Sequence, residues 1–202
     1  MQNCNDITVR RATLRDAVAV ATYVWQTDAY IYPSVVASPD EPIWLDFIAR
    51  SLTDAGSVFF CDRVLVAEVQ GKVVGVCTFF RCGAALHFVM PTAARIHEGL
   101  DYVDREYYRP LIAEYAARDG LCISNLCVDA NFRSCGVGGK LLDGVFALFP
   151  NCDIVLDVIE DNHAACRLYE KKGFAVTKRY MGFGGKTNAS VPCLEMVRPH
   201  AK

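Results

Sequence analysis

Residues 121–139 read Leu121-Cys-Ile-Ser-Asn-Leu-Cys-Val128 followed by Asp129-Ala-Asn-Phe-Arg-Ser-Cys-Gly-Val-Gly-Gly139. The first of these segments is a short, mostly apolar run, which is typical of a buried β-strand. The second is rich in small residues and glycine, which is typical of a loop, and a short helix is predicted after it. A strand, a glycine-rich loop and a helix in this order indicate an α/β layer protein.

The glycines of this loop predict a backbone that binds phosphate. Successive glycines allow a tight turn whose N–H groups point outward into a concavity that attracts phosphate oxygens. A helix that begins near Gly138 would add its unsatisfied N-terminal N–H groups and its dipole. Arg133 can pair with a phosphate through two hydrogen bonds. We expect a side chain at Gly138 to occupy space that a phosphate needs.

Two common phosphate-binding loops are excluded by their spacing. A P-loop would need a glycine at the position of Ser134, and a dinucleotide-binding G-x-G-x-x-G that starts at Gly136 would need one at Leu141. A nucleotide-binding protein that merely shares a glycine-rich loop is therefore disfavoured. A glycine-rich turn without a ligand stays open as an alternative on the loop alone.

Hydrophobic periodicity on both sides of the loop predicts one domain over residues 1–202. Thr13 and Asp16 form an acidic variant of the capping box before the first helix, and Gln70-Gly-Lys72 forms the turn of a hairpin. The predicted strands are 7–12, 57–69, 73–81, 121–128, 152–159, 173–183 and 193–197. The predicted helices are 17–25, 42–53, 140–149 and 162–172, and a helical elaboration is predicted at about 84–119.

The composition excludes several classes of protein. Hydrophobic residues make up 52% and charged residues 22% of the chain, which indicates a globular protein. Lys plus Arg total 21 and Asp plus Glu total 23, and this net charge of −2 disfavours a nucleic-acid partner. No apolar run approaches the ~18 residues of a membrane span, and we see no signal peptide. We therefore expect a cytoplasmic protein without a membrane partner.

The 10 cysteines are expected to be free thiols that pack as small apolar residues, because the cytoplasm is reducing. They contain no C-x-x-C pair, and the 4 histidines contain no H-x-x-x-H pair. We therefore expect no metal site.

A second motif follows in residues 156–174, which read Leu156-Asp-Val-Ile-Glu-Asp-Asn-His-Ala-Ala-Cys-Arg-Leu-Tyr-Glu-Lys-Lys-Gly-Phe174. Asn162 is suited to cap the start of a helix, and Gly173 is suited to follow its end. The R-x-x-G-x-G loop and this motif, in this order, resemble the two acetyl-CoA signatures of the GCN5-related N-acetyltransferase (GNAT) family. The resemblance is strongest over residues 121–183 and extends to residues 7–25.

This resemblance implies a mixed, mostly antiparallel twisted sheet of about six to seven strands flanked by helices, with a splayed parallel strand pair. The pantetheine arm of acetyl-CoA would lie in the gap of that pair and bond the main chain of Leu126, Cys127 and Val128. The coenzyme A diphosphate would lie on the loop. The implied cofactor contacts there are Arg133, Ser134, Cys135, Gly136, Val137, Gly138 and Gly139, with Asn162 as a further contact.

The resemblance also implies two catalytic residues. Tyr169 stands where the family places the tyrosine that protonates the departing thiolate. Asp157 stands where the branch that acetylates peptide N-termini has a glutamate, and the shorter side chain favours a bridging water. Period-two alternation puts Asp157 on the face opposite Leu156 and Val158. A partly exposed aspartate at a strand end is the alternative, and Glu68 is a weaker candidate base.

The implied function is an acetyl-CoA-dependent N-acetyltransferase that moves an acetyl group to a primary amine by direct attack in a ternary complex. The acceptor would be a small amine or a peptide N-terminus. Tyr30, Tyr32, Asp40, Glu41 and the acidic-aromatic segment 98–109 would suit a cationic acceptor, although such a segment is often just a solvated face. A catalytically inactive acyl-CoA-binding or regulatory module is the alternative function, and a homodimer is a further expectation.

Overall fold

A computed structural model describes residues 6–28, 41–84, 117–183 and 190–200. The strands in this part of the chain are β1 Thr8–Arg11, β2 Val64–Val69, β3 Lys72–Arg81, β4 Leu121–Val128, β5 Ile154–Ile159, β6 Ala175–Phe183 and β7 Ser190–Arg198. They form one 7-stranded sheet in the order β1-β2-β3-β4-β5-β7-β6. Neighbouring strands are antiparallel except β4 and β5, which are parallel. The predicted mixed, mostly antiparallel sheet is confirmed.

Helices cover both faces of the sheet. The described α-helices are α1 Ala17–Asp28, α2 Glu41–Ser51, α3 Val137–Leu148 and α4 His163–Lys171. We call the side of α1 and α2 the α1 face, and the side of α3 and α4 the α3 face. The buried cluster of the α1 face includes Val20, Val24, Ile48, Val66, Val76 and Val155, and that of the α3 face includes Leu65, Cys77, Leu141, Leu142, Leu156 and Tyr169. No described helix is long and apolar enough to cross a membrane.

Most predicted elements are present with shifted ends, and one prediction is wrong. The β2–β3 hairpin is confirmed, whereas residues 57–63 form turns and a short 3-10 segment instead of the start of β2. Backbone N–H groups of Ser57 and Phe60 bond to carbonyls three residues earlier, and Arg63 donates to the carbonyl of Ala55. Val58 and Phe59 are buried in this turn, so their hydrophobicity reflects burial and not strand pairing.

Two further differences concern the helices. Helix α3 begins at Val137, three residues before the prediction, because two glycines in its first turn lower the apparent helix propensity. The predicted helical elaboration at 84–119 lies almost entirely outside the described residues.

Asp16 fixes the corner between β1 and α1. Its Oδ2 atom accepts hydrogen bonds from the backbone N–H of Thr13 at 2.7 Å and from the Thr13 hydroxyl at 2.9 Å, which confirms the acidic capping box. Arg10 donates to both of its carboxylate oxygens and also to Glu68 of β2. The side chain of Asp16 is only 6% exposed. Hydrogen bonding to Arg10 lowers the pKa of Asp16 to about 2.

We predict that Asp16→Asn destabilises the protein by about 2 kcal/mol at neutral pH, because the depressed pKa corresponds to that stabilisation of the ionised form. The stabilisation is fully present above the unfolded pKa of about 4 and is lost as the pH falls toward 2. Urea unfolding of both proteins between pH 7 and pH 2.5 measures the difference. A difference in unfolding free energy that does not shrink in acid would contradict this assignment.

Candidate functional site

The parallel strands β4 and β5 separate after a short paired stretch. Leu121 pairs with Ile154 and Cys122 with Val155, and the described residues contain no further β4–β5 pair. On its other side, β4 stays paired with β3 as far as its last residue, Val128, which lies opposite Gly75. The main-chain groups of β4 that point toward β5 are therefore left without a strand partner beyond Cys122. Such an opening accepts an extended chain as an additional strand.

Leu126, Cys127 and Val128 line this opening with their backbone. All three are paired to β3 on one side, opposite Cys77, Val76 and Gly75. Cys127 is buried against the α1 face, whereas Leu126 and Val128 pack at the edge of the α3 face. Their side chains thus contribute to packing, and their main-chain groups that face β5 have no strand partner there.

The loop after β4 has the geometry of an anion-binding nest. Ser134 has φ 63° and Gly136 has φ 83°, both in the left-handed region, on either side of Cys135. Alternating right- and left-handed residues turn successive N–H groups toward one point. Among the described residues, the N–H groups of Ser134, Gly136, Val137, Gly138 and Gly139 have no backbone acceptor, whereas Lys140 donates to Gly136. The start of α3 therefore offers several free donors and its positive dipole end.

The glycines of the loop are required for different structural reasons. A Cβ at Gly136 would meet nothing within 4 Å, so only its left-handed backbone requires glycine. A Cβ at Gly138 would lie 3.0 Å from Cδ2 of Leu168, and one at Gly139 would lie 3.1 Å from Cε of Lys172. Gly138 and Gly139 thus allow close packing of α3 against α4. The expectation that a side chain at Gly138 would fill the phosphate space is wrong, because that side chain would point toward α4.

Arg133 and Cys135 are two further side chains of the loop. Arg133 is exposed, and its Nε lies 3.5 Å from the carbonyl oxygen of Val128. Cys135 is in a disulfide bond, while the other described cysteines are free thiols. The expectation of free thiols is therefore wrong for Cys135. Unlike the core residues Cys77 and Cys122, Cys135 is on a surface loop and only partly buried.

Helix α4 is closed at both ends by the residues that the second motif predicts. Oδ1 of Asn162 accepts a hydrogen bond from the N–H of Ala165 at 3.2 Å, which leaves its amide NH₂ for other contacts. Gly173 has φ 87°, and the N–H of Phe174 donates to the carbonyl of Tyr169. This hydrogen bond and the left-handed glycine are the features of a Schellman motif, in which the residue after the glycine packs on the last turn of the helix. The rings of Tyr169 and Phe174 lie 5.7 Å apart accordingly.

Tyr169 is buried with an unsatisfied hydroxyl. The residue is 7% exposed, and its hydroxyl has no hydrogen-bond partner among the described residues. Burial raises the pKa of Tyr169 well above its usual range, and the nearby Cys77 and Cys166 act in the same direction. A buried hydroxyl without a partner is costly. The site therefore holds a protonated donor that is free to bond a ligand atom.

Asp157 lies on the opposite face of the sheet in a polar cluster. Its Oδ2 accepts from Arg118 at 2.6 Å, and its Oδ1 accepts from Arg118 at 3.3 Å and from the Tyr180 hydroxyl at 2.9 Å. Arg118 also lies 3.2 Å from Oε2 of Glu195. A carboxylate has about four lone-pair sites, so one site on Oδ2 of Asp157 has no partner in the part of the chain that the structure describes.

Sequence reasoning identified Asp157 but missed its partners. Glu195 faces Asp157 across the β5–β7 register, and alternation along the last predicted strand could have placed it there. Arg118 lies at the end of the predicted helical elaboration, and nothing in that helical pattern indicates a partner on β5. Glu68 is paired with Arg10 at the β1–β2 edge, away from the opening. The proposed acceptor residues Tyr30, Tyr32 and Asp40 and the segment 98–109 lie outside the described residues, and so does the side chain of Glu41.

Comparison with known proteins gives consistent results. A family model described as the acetyltransferase (GNAT) family matches residues 19–174, and no curated protein matches. An N-acetyltransferase from Staphylococcus aureus Mu50 superposes with a TM-score of 0.72 at 22% identity, covering 94% of this chain and 99% of that chain. The yncA protein from Salmonella typhimurium, solved with its cofactor acetyl-CoA, gives 0.58 at 18% identity, covering 98% and 96%. The ribosomal-protein-S18-alanine N-acetyltransferase from Escherichia coli gives 0.57 at 14% identity, with the same coverages.

We predict that Gly136→Ala weakens coenzyme A binding about fivefold, because a side chain in the left-handed region costs about 1 kcal/mol and the loop relaxes away from its nest. Isothermal titration calorimetry measures the affinity. Gly71 in the β2–β3 turn is a matched control, since it has φ 78° and also meets nothing within 4 Å. Gly71→Ala should lose similar stability and keep its affinity, and equal affinities of the two variants would contradict the assignment of the loop.

Proposed function

Because the chain belongs to the GNAT acetyltransferase family, we propose that it transfers the acetyl group of acetyl-CoA to a primary amine by direct attack in a ternary complex. The acetyl-CoA-dependent N-acetyltransferase activity is that of the family. The observation that carries the finer proposal is the opening between β4 and β5. Asp157 lies on the α1 face of the sheet and Tyr169 on the α3 face, and the Tyr169 hydroxyl has no hydrogen-bond partner among the described residues. A thioester in that opening is accessible from both faces.

The residues around the opening fit coenzyme A. The free N–H groups of residues 134 and 136–139 and the start of α3 suit the diphosphate, with Arg133 beside them. The main-chain groups of Leu126, Cys127 and Val128 that face β5 have no strand partner there and suit the amide groups of an extended pantetheine arm. The amide NH₂ of Asn162 is a further donor. Acetyl-CoA supplies an acetyl group that is activated as a thioester.

Tyr169 acts as the general acid. Its hydroxyl is protonated at neutral pH, as in any tyrosine, and burial raises its pKa further. Tyr169 lies on the α3 face, the side of the two proposed cofactor-binding helices. Proton donation to the departing thiolate would use a hydroxyl that has no hydrogen-bond partner among the described residues. A module that only binds acyl-CoA has no need for such a donor.

Asp157 acts on the amine side, on the α1 face. An alkylammonium ion has a pKa of about 10 and must lose a proton before it attacks. The remaining lone-pair site on Oδ2 of Asp157 accepts one N–H of the acceptor, either directly or through a water. Arg118 forms an ion pair with both Asp157 and Glu195, so two carboxylates lie on the acceptor side of the proposed site and would attract a cationic acceptor.

Location and assembly stay predictions. We place the protein in the cytoplasm, and we expect any homodimer to avoid the β6 edge of the sheet. That edge strand exposes Lys178 and Arg179. Positive charges on an edge strand oppose pairing with a second copy.

We predict that the protein releases free thiol from acetyl-CoA in the presence of a primary amine and forms the N-acetylated amine in equal amount. A panel of polyamines, amino acids, aminoglycosides and peptides with free N-termini identifies the acceptor class, and N-acetylated versions of the same compounds are the controls. Thiol release is followed by colorimetry and the product by mass spectrometry. Binding of acetyl-CoA without transfer to any amine would instead support the inactive acyl-CoA-binding module.

We predict that Tyr169→Phe lowers kcat about tenfold or more while acetyl-CoA affinity stays unchanged, because only the proton donor is removed. Steady-state kinetics and calorimetry separate the two effects. Tyr23→Phe is the matched control, since Tyr23 is also 7% exposed but its hydroxyl is already bonded to Val73 and Asp129. An unchanged kcat in Tyr169→Phe would defeat the assignment of the acid.

A further inference from the structure

Two carboxylates face each other on the acceptor side of the proposed site. Asp157 of β5 lies directly opposite Glu195 of β7 in the antiparallel register. Their side chains are only 19% and 17% exposed, so water screens their charges in part. Like charges directly opposite each other in a sheet repel and destabilise the pair. A positive charge is therefore needed close to both if the two carboxylates are to stay ionised and in place.

The guanidinium of Arg118 contacts both carboxylates. Its Nη1 lies 2.6 Å from Oδ2 of Asp157, and its Nη2 lies 3.3 Å from Oδ1 of Asp157 and 3.2 Å from Oε2 of Glu195. The side chain of Arg118 is only 11% exposed. A planar fork that contacts both oxygens of a carboxylate fixes the rotation of that carboxylate as well as its position. Arg118 thus orients Asp157 and at the same time offsets the charge of Glu195.

The other described groups close to Asp157 are not cations. The hydroxyl of Tyr180 on β6 donates to Oδ1 of Asp157 at 2.9 Å. Burial raises the pKa of the Cys193 thiol on β7, and the charge of Asp157 acts in the same direction, so this thiol is also a neighbour. Within the described part of the chain, Arg118 is therefore the one positive group that pairs with Asp157.

The pair of Arg118 and Asp157 lies near the point where β4 and β5 separate. Cys122 and Val155 are the last described residues that pair these strands. A hydrogen bond with Cys82 and burial raise the pKa of the Cys122 thiol, Asp157 raises it further and Arg118 lowers it. Charges act in this way on neighbouring groups, so both side chains lie in the surroundings of Cys122. An acceptor that approaches the opening from the α1 face therefore meets the carboxylate that Arg118 holds.

We propose that Arg118 is a positioning residue for acetyl transfer, which keeps the Asp157 carboxylate in the orientation that accepts an N–H of the amine. This inference rests on the proposed function, in which Asp157 acts on the acceptor. The remaining lone-pair site of Asp157 is on Oδ2, the atom that Arg118 contacts at 2.6 Å, so the direction of that site follows the guanidinium. Without Arg118, repulsion by Glu195 turns the carboxylate away, because the Tyr180 bond to Oδ1 alone does not fix its rotation.

The test compares Arg118→Met with a double variant that carries Arg118→Met and Glu195→Gln. Arg118→Met should lower kcat/KM for the best amine of the panel about tenfold, less than the loss of a whole general base, because Tyr180 still holds one oxygen of Asp157. In the double variant the repulsion is gone, so kcat/KM should recover to within about threefold of wild type. Acetyl-CoA affinity, measured by calorimetry, should be unchanged in both variants.

Two further substitutions of Arg118 complete the series. Arg118→Lys should stay within about threefold of wild type, because an ammonium offsets the charge of Glu195 but cannot hold both oxygens of Asp157 as a fork. If Arg118→Met does not fold, Arg118→Gln takes its place in the same comparison, since it also lacks the charge and can still donate hydrogen bonds.

Arg10→Met is the matched control for loss of an arginine between two carboxylates. Arg10 lies 2.7 Å from Asp16 and 2.7 Å from Glu68, at the β1–β2 edge and away from the opening. Arg10→Met should lower the free energy of unfolding, measured in urea, and should keep kcat/KM for the amine within about twofold of wild type.

The outcomes separate this inference from the proposed function. An active wild type and an Arg118→Met variant with equal kcat/KM for the amine would overturn the inference and leave acetyl transfer intact. Equal losses of kcat/KM in Arg118→Met and Arg10→Met would also overturn it, since stability alone would then explain them, and so would a double variant no more active than Arg118→Met. A wild type that transfers acetyl to no amine would overturn the proposed function and this inference with it.

Discussion

The early separation of β4 and β5 is the constraint on which the whole arrangement depends. Backbone N–H and carbonyl groups inside a sheet must find partners, yet beyond Cys122 and Val155 the described parts of these strands offer none to each other. The fold keeps the strands in place through their outer neighbours, β3 and β7. In the proposed complex, a strand-like ligand would complete the sheet, and the energy of backbone pairing would contribute to its binding.

The two helices that follow these strands position the residues of the proposed site. Helix α3 starts with N–H groups that have no backbone acceptor among the described residues, and the Schellman motif at the end of α4 holds Tyr169 against Phe174. In the loop between β4 and α3, Ser134 adopts a left-handed conformation that is strained for a residue other than glycine. The proposed phosphate donors and the proposed acid thus belong to, or adjoin, regular helices.

Short sequence patterns around the helix ends predicted much of the fold and of the candidate site. Asn162 and Gly173 predict the two ends of α4, and Thr13 with Asp16 predicts the start of α1. These signals are readable because capping residues bond to residues only a few positions away in the chain. The pairing of Arg118 with Asp157 joins residues 39 positions apart, and the disulfide of Cys135 likewise has no local pattern. The turn at 57–63 was missed because burial and strand pairing favour the same apolar residues. Long-range partners leave no periodic trace in a sequence.

The proposed acetyl transfer would place its two products on different sides of the sheet. An acetylated amine beside Asp157 would lie on the α1 face, whereas coenzyme A would extend past Val128 toward the start of α3. On this proposal neither product covers the other, and the order in which they leave would be set by their affinities.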